Sequence, residues 1–384
     1  MTSVVRHIFT LLLCSLATVS FGLSIDFYGH ALHFTTDQIA NTKAPYTINK
    51  QSVHHALAQT KKASLTTIAN EITEAKETYK LDGLGVVLLT DKLVKSVTQS
   101  KNTQNILKYN LLKELAYDVQ LTYTKTTITC FGRLSQTPAS SVYILYKNKR
   151  YTNLNFTDLR TQGTRYVYDD TDVEDNFKAF DYTGKAPAIS AKQTYKYLTW
   201  AFQGKLYHLK AIRNISFNEY LNDLPQFSLG SDYVKMDHSS EFQSSVLLPL
   251  ENYMAEMSSN TQKCNFLLKF VQSAFKYKTD GDQYGREKYN FPEETVTTTF
   301  SDCEDRTLLL AYLYKKLLGF DSVMLHFEKE KHVCLGVKIP NRSNSYSFKY
   351  KDEAYMVTEP TGIGFDVGET GIPLKNITEV IELF

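Results

Sequence analysis

An α+β chain is what the sequence predicts, and three observations carry it. Stretches rich in Ala, Thr, Lys and Glu, such as residues 51–78, alternate with Tyr- and Phe-rich segments, and the chain holds 26 Tyr and 22 Phe in 384 residues. "KYLTWAFQGKLYHLKAI" has two alternating runs around Gln203-Gly204, which reads as a hairpin. Beyond residue 302, one apolar helix is followed by several short strands with tight turns, an order that favours antiparallel pairing over a wound parallel sheet.

Taken in order, residues 1–22 stand apart. Arg6 and His7 precede "IFTLLLCSLATVSFG", a short apolar run that ends in small residues around Ser20 and Gly22. This is the layout of a cleavable export signal and is too short for a membrane anchor, which needs about 20 apolar residues. Leu13 precedes Cys14 where a lipid attachment site needs a small residue. The mature chain is therefore expected outside the cytoplasm, periplasmic or extracellular, with no transmembrane anchor. The net charge is +2, so no broad electrostatic partner such as nucleic acid is implied. Four cysteines remain (Cys130, Cys264, Cys303 and Cys334), too few for a disulfide scaffold, though two could still pair.

"LSIDFYGHALHF" (23–34) reads as a strand and 51–78 as helical. "LGVVLLT" (84–90) fits either a strand or a buried helix. "NILKYNLLKELAYDVQLTYT" runs from helix into strand. Residues 161–245 read as an irregular β-rich module. At 259–277, Cys264, Leu267, Leu268, Val271 and Phe275 fall at helical spacing, so Cys264 reads as a core residue.

"TTTFSDCEDRTLLLAYLYKKLLGFDS" (297–322) then places one cysteine at a helix start. Ser301 or Asp302 can cap the helix, Glu304 and Asp305 suit its positive end, and Gly319 stops it. "SVMLHF" and "HVCLGVKI" read as strands, and "YSFKYKDEAYMVTEP" as a hairpin turning at Asp352-Glu353. Cys303, His332 and Glu359 thus follow in the order nucleophile, base, acid. A thiol needs a base to take its proton, and the base needs an acid to hold its ring. The helix amides are expected to lower the thiol pKa while the flanking acids point away from the sulfur. Cys334 shares a strand face with His332, but Cys303, His332 and Cys334 lack the paired spacing of a zinc motif.

Through "SDCEDRTLLLAYLYKKLLGFDS", "KHVCLGV" and "YMVTEPTG", residues 262–363 resemble a transglutaminase-like cysteine peptidase domain of secreted bacterial type, with a papain-like fold. The resemblance implies Cys303 as nucleophile, His332 as general base and Glu359 as orienting acid, where the family usually has Asp. It further implies Gln283 and Tyr289 as oxyanion donors and a protein or peptide substrate. No cofactor is required, although Asp302, Glu304 and Asp305 offer oxygens to a calcium ion, as in calcium-dependent relatives. The alternative is an inactive binding module with a cell-envelope partner.

Laying 100–156 over 303–360 brings out an internal repeat. Val119 meets Val323, Leu121 meets Leu325, Cys130 meets Cys334 and Gly132 meets Gly336. Ser100, Ile128 and Asn155 then stand at Cys303, His332 and Glu359, which predicts a degenerate copy of the same fold unable to run the chemistry. The expected organisation is a signal (1–22), a degenerate domain (23–160), a β-rich module (161–245) and a catalytic domain (246–384).

Overall fold

A computed structural model describes residues 22–36, 39–59, 62–139, 141–156, 164–169, 176–190, 192–340 and 347–384. Apart from Gly22, the expected export signal lies outside these residues. Among the described residues, no helix is long and apolar enough to cross a membrane.

The first strand read from sequence is two. Strand β1 (Gly22–Phe27) turns at Tyr28 and Gly29, with φ of 52° and 89°, into β2 (His30–Thr35). Two consecutive positive φ angles match the twist of a tight hairpin. Helices α1 (Lys50–Ala58) and α2 (Lys62–Thr78) follow. "LGVVLLT" resolves as part of α3 (Gly83–Val97), buried on nearly all sides, as a helix apolar all round must be. Asp82 caps it, accepting from the Gly85 amide at 3.0 Å. Gly83 allows the close crossing here, since a Cβ would lie 2.5 Å from the Asp181 amide nitrogen.

Helix α4 (Lys101–Glu114) leads into β3 (Val119–Tyr123), β4 (Ile128–Gly132), β5 (Tyr143–Tyr146), β6 (Lys149–Asn153) and β7 (Tyr166–Val167). These form one antiparallel sheet in the order β5-β6-β4-β3-β7. The hairpin of β8 (Gln193–Phe202) and β9 (Lys205–Asn214) turns at Gln203-Gly204, as the alternation implies. The rest of the middle segment departs from the expected β-rich module. Helices α5 (Ile215–Asp223), α6 (Gly230–Val234) and α7 (Ser240–Phe242) follow, and α8 (Leu248–Met254) continues them. Asn214 and Ser239 cap α5 and α7 through their side chains, so local capping overrides the missing helical period.

The last part comprises α9 (Asn260–Ser273), β10 (Lys276–Tyr277), α10 (Asp280–Tyr284), α11 (Pro292–Thr297), β11 (Phe300–Ser301) and α12 (Cys303–Leu313). Then come β12 (Ser322–Phe327), β13 (His332–Val337), β14 (Ser347–Tyr350), β15 (Glu353–Thr358) and β16 (Glu379–Glu382). Their sheet order, β14-β15-β13-β12-β16, matches that of the first sheet strand for strand. In both halves a helix precedes the five strands and packs on the second of them in chain order.

The residue pairings within the repeat differ from those read by sequence. Cys130 lies in the main core with Leu121, under α4, whereas Cys334 joins Val323, Leu325, Phe327 and Val357 in a separate cluster. Under α12 the main core instead takes Met324, Val333 and Leu335. The pair Leu121–Cys130 therefore corresponds to Met324–Leu335, and Thr127, not Ile128, stands at His332. At the helix start, Ser100 and Asp302 are the caps, so Lys101 rather than Ser100 stands at Cys303. A π turn at Tyr314–Leu318 accommodates the extra residue. Asn155 keeps its place at Glu359, because Thr152 and Met356 hold the same hairpin position. Strands buried on both faces have no apolar rhythm to pin their register, so sequence alone slips by one.

Trp200 of β8 sits 4.9 Å from Phe270 and 5.5 Å from Phe266 of α9, ring centre to ring centre. One apolar core runs from Ile25 to Leu383, and the hairpin belongs to it. Trp200→Ala is expected to cost about 3–5 kcal/mol while leaving a single unfolding transition in urea. A separate early transition would mean that the hairpin folds as its own unit.

Candidate catalytic site at the head of α12

Asp302 has extended backbone and accepts from the Asp305 amide at 3.2 Å, which starts α12 at Cys303. Cys303 is 5% exposed. Its thiol donates to Glu304 Oε2 at 2.9 Å. Burial pushes the thiol pKa well up, the Glu304 charge and hydrogen bond push it further, and a hydrogen bond from the Val333 amide opposes them. The expectation that the acids point away from the sulfur is thus corrected for Glu304. The expected lowering of the thiol pKa is reversed, because burial, and then a carboxylate at hydrogen-bond distance, outweigh the helix-end amides.

The Val333 amide reaches the sulfur because β13 pairs with β15 only as far as Leu335–Thr358. The sulfur therefore lies at the open start of β13, one residue from His332. His332 Nε2 meets Glu359 Oε2 at 2.9 Å. With Nε2–H donating to the carboxylate, Nδ1 is the basic nitrogen left over. Glu359 is held by amides of the turn that follows it: Oε1 accepts from Thr361 at 3.0 Å and from Gly362 at 3.3 Å.

Two residues that sequence reasoning missed connect these parts. Arg306, 2% exposed, donates to Ser301 Oγ at 3.0 Å and to the carbonyls of Gln272 and Phe275 at 3.2 and 2.8 Å. Gln272 Nε2 in turn donates to the Glu359 and Phe365 carbonyls, both at 2.9 Å. The helix bearing the thiol and the loop bearing the acid are thus tied through one side chain of α9. An Arg in the apolar run of α12 and a Gln among apolar neighbours of α9 were the available signals, since buried polar residues need partners.

Of the expected oxyanion donors, Gln283 is turned aside: its Nε2 donates to Tyr284 Oη at 2.6 Å. Tyr289 stays near the site. Burial raises its pKa, and the charges of Glu304 and then Cys303 raise it further. Tyr277, missed in sequence, has its hydroxyl pushed up to about 12 by burial, then by Cys303, Asp302 and Glu304. The Arg306 guanidinium lies 5.6 Å from the Tyr277 ring centre.

The acidic set also differs from that read by sequence. Asp280, Asp302 and Asp305, not Glu304, bring oxygens within 4.8 Å of one another, and all three are buried. Asp305 clamps the preceding loop, accepting from Asn290 N at 2.8 Å and Asn290 Nδ2 at 2.7 Å. Three carboxylates have the hardness for calcium but supply three of the six to eight oxygens it takes. Among the described residues this is the one such convergent group, and Cys303, His332 and Cys334 do not form another. Cys334 lies in the outer cluster, its thiol pKa raised by burial and then by Glu359. All four cysteines described are free and buried.

No family model, curated protein or solved structure matches this chain.

Burial and then Asp305 and Glu304 push Asp302 up to about 9, while Asp305 is pushed up to about 7, chiefly by burial. Across that interval the folded chain keeps protons that the unfolded chain, with ordinary carboxyl groups, has lost. Stability from this cluster is therefore greatest below about pH 4 and falls as pH rises towards 9. Urea midpoints across this range should show that decline, and Asp302→Asn should flatten it. An identical slope in the variant would show that Asp302 carries its charge in both states.

Proposed function

We propose that this chain is a cysteine-nucleophile amide hydrolase or acyltransferase acting on protein or peptide substrates, related to the transglutaminase-like, papain-like peptidases and exported from the cytoplasm. The observation that carries the proposal is the His332–Glu359 pair, which leaves Nδ1 as the free base beside the start of β13, where the Cys303 sulfur lies. The thiol leaves Glu304 and passes its proton to His332 Nδ1, and Glu359 stabilises the imidazolium. The thiolate attacks the amide carbonyl carbon. A C–S bond forms and the carbonyl electron pair moves to oxygen, where the Tyr289 hydroxyl and the Cys303 amide would donate to the developing charge. On collapse the C–N bond breaks, and His332 protonates the leaving amine. Water, or a competing amine, then attacks the thioester while His332 takes its proton, and the thiol is regenerated. No cofactor is required for these steps.

The state described is a latched one, with a neutral thiol. Glu304→Gln removes the charge that holds it so. Alkylation of Cys303 by iodoacetamide at pH 7 should rise about tenfold or more, the equivalent of one unit of thiol pKa. Cys303→Ala should abolish the signal, and His332→Ala should reduce peptide hydrolysis by about 10²–10⁴-fold. The buried sulfur bonded to Glu304 favours a second reading, an inactive binding module of the cell envelope. Alkylation as slow in Glu304→Gln as in the parent chain, together with no hydrolysis of a denatured casein substrate, would establish that second reading.

A further inference from the structure

The β8–β9 hairpin has two edges, and the chain treats them differently. Lys192 O accepts from Ile215 N at 2.8 Å, one step beyond the Gln193–Asn214 pair. Bonded and non-bonded pairs alternate along an antiparallel ladder. Thr194, Lys196, Leu198, Trp200 and Phe202 therefore bond across the hairpin, while Gln193, Tyr195, Tyr197, Thr199 and Ala201 turn N–H and C=O outward. On β9 the outward row is covered: Ile212 N donates to Ser245 Oγ at 2.9 Å, and His208 O accepts from Tyr253 Oη at 2.8 Å. On β8, no hydrogen bond from the described residues reaches the outward backbone groups of Tyr195, Tyr197, Thr199 or Ala201.

A row of open backbone groups is a template for another strand, and proteins blunt such edges by shortness, proline, bulges or charge. The two five-stranded sheets use shortness: their edge strands β5, β14 and β16 have four residues and β7 has two. Strand β8 has ten, with no Pro, no Gly and no break in register. Its one charge, Lys196, turns to α11, donating to Val296 O at 3.0 Å and to Thr298 O. The residues of the outward row are all exposed and all uncharged, and Tyr197 is 74% exposed. Lys210 Nζ lies 4.0 Å from the Tyr195 ring centre and 6.0 Å from that of Tyr197, which braces both rings on the ribbon.

We propose that β8 pairs antiparallel with β8 of a second copy of this chain, about a two-fold axis at Tyr197. The outward row is symmetric about that residue. Tyr197 meets Tyr197 of the second copy, Tyr195 meets Thr199, and Gln193 meets Ala201, so every outward group from 193 to 201 gains a partner. Aromatic and β-branched residues facing each other across strands are favourable neighbours. No charge faces a like charge across the axis, and the row offers none to an acidic or a basic partner, which selects a second copy as the occupant. The same patch serves both copies, as a closed two-fold contact requires. The joint sheet, in the order β9-β8-β8-β9, also relieves the hairpin of standing as an isolated pair of strands. This contact is independent of the hydrolase reading.

Sedimentation equilibrium of the full chain should show a monomer–dimer equilibrium with a Kd of about 1–50 μM. Amide hydrogen exchange at Tyr195, Tyr197 and Thr199 should slow as concentration rises through that range. Thr199→Pro removes an outward N–H that the hairpin does not use, and Tyr197→Lys sets two ammonium groups against each other at the axis. Each should weaken the dimer about tenfold or more while leaving the urea midpoint of the monomer near that of the parent. The described cysteines are all buried, so an introduced thiol reports the register. Tyr197→Cys should cross-link two copies on oxidation, and Tyr195→Cys should not. A monomer at every concentration, whether or not the edge takes up another peptide, would overturn the inference. So would a dimer that both substitutions leave intact, or cross-linking through Tyr195→Cys in place of Tyr197→Cys.

Discussion

Arg306 is a buried cation whose hydrogen bonds, among the described residues, go to a hydroxyl and two carbonyls rather than to a carboxylate, and the site depends on where it points. Its guanidinium ends on two carbonyls at the C-terminal end of α9 and on Ser301 just before α12. Carbonyls left over at a helix end carry partial negative charge and lack partners, so a cation there satisfies both needs. Burial lowers the Arg306 pKa, with Tyr277, Asp302 and Asp305 acting the other way, and arginine keeps its charge in any protein. The consequence is geometric. The end of α9 and the start of α12 cannot move apart without stranding a buried charge, which typically costs about 3–5 kcal/mol. Because Gln272 also holds the Glu359 carbonyl, the same end of α9 sets the distance between thiol and acid.

The acids crowded around Cys303 divide into separate roles once the backbone is seen. Asp302 starts the helix, Asp305 clamps the loop through Asn290, and Glu304 alone turns to the sulfur. The first two fix the position of the thiol, and Asp302 adds to the raising of its pKa after burial and Glu304. The result is a thiol fixed in place and kept neutral by its bond to Glu304. Freeing the sulfur requires moving one half-buried side chain of the first turn, not the helix itself. Substrate entering between Tyr289 and Cys303 would alter the surroundings of Glu304 before those of the buried pair.

Much of this was legible in the sequence, and the exceptions have physical reasons. The start of α12 follows from a capping aspartate before an apolar run, and the β8–β9 turn from Gln-Gly between alternating segments. The pairing of His332 with Glu359 was expected from their residue types, and the two side chains meet where β13 begins and just past the end of β15. Helix α3 was ambiguous because a run buried on every side has no period. The helices after β9 went unseen because they are short and defined by caps. Arg306 and Gln272 were missed because their partners are backbone carbonyls, which leave no mark in side-chain spacing. Glu304 was unrecognisable as the residue on the sulfur because three neighbouring acids are alike in sequence and only the backbone decides which one turns to it.

The two sheets share one strand order, yet what they keep differs in kind. Strand order and helix placement are carried by many weak apolar contacts, none of which is indispensable, so they survive substitution at any single position. A catalytic triad is carried by three groups, each of which is. In the first half the corresponding places hold Lys101, Thr127 and Asn155, none of them a thiol, an imidazole or a carboxylate. The first half nevertheless shares the core that runs through the whole chain, and its loop from Arg133 to Ala139 is bonded to Phe180 and Gln226 beside the site. Losing the fold of this half would expose the wall that Pro138 and Ala139 form against Phe227 and Gln226. A sheet of the same strand order, whatever its own positions can do, is thus held in place by its neighbour's need for a surface to pack on.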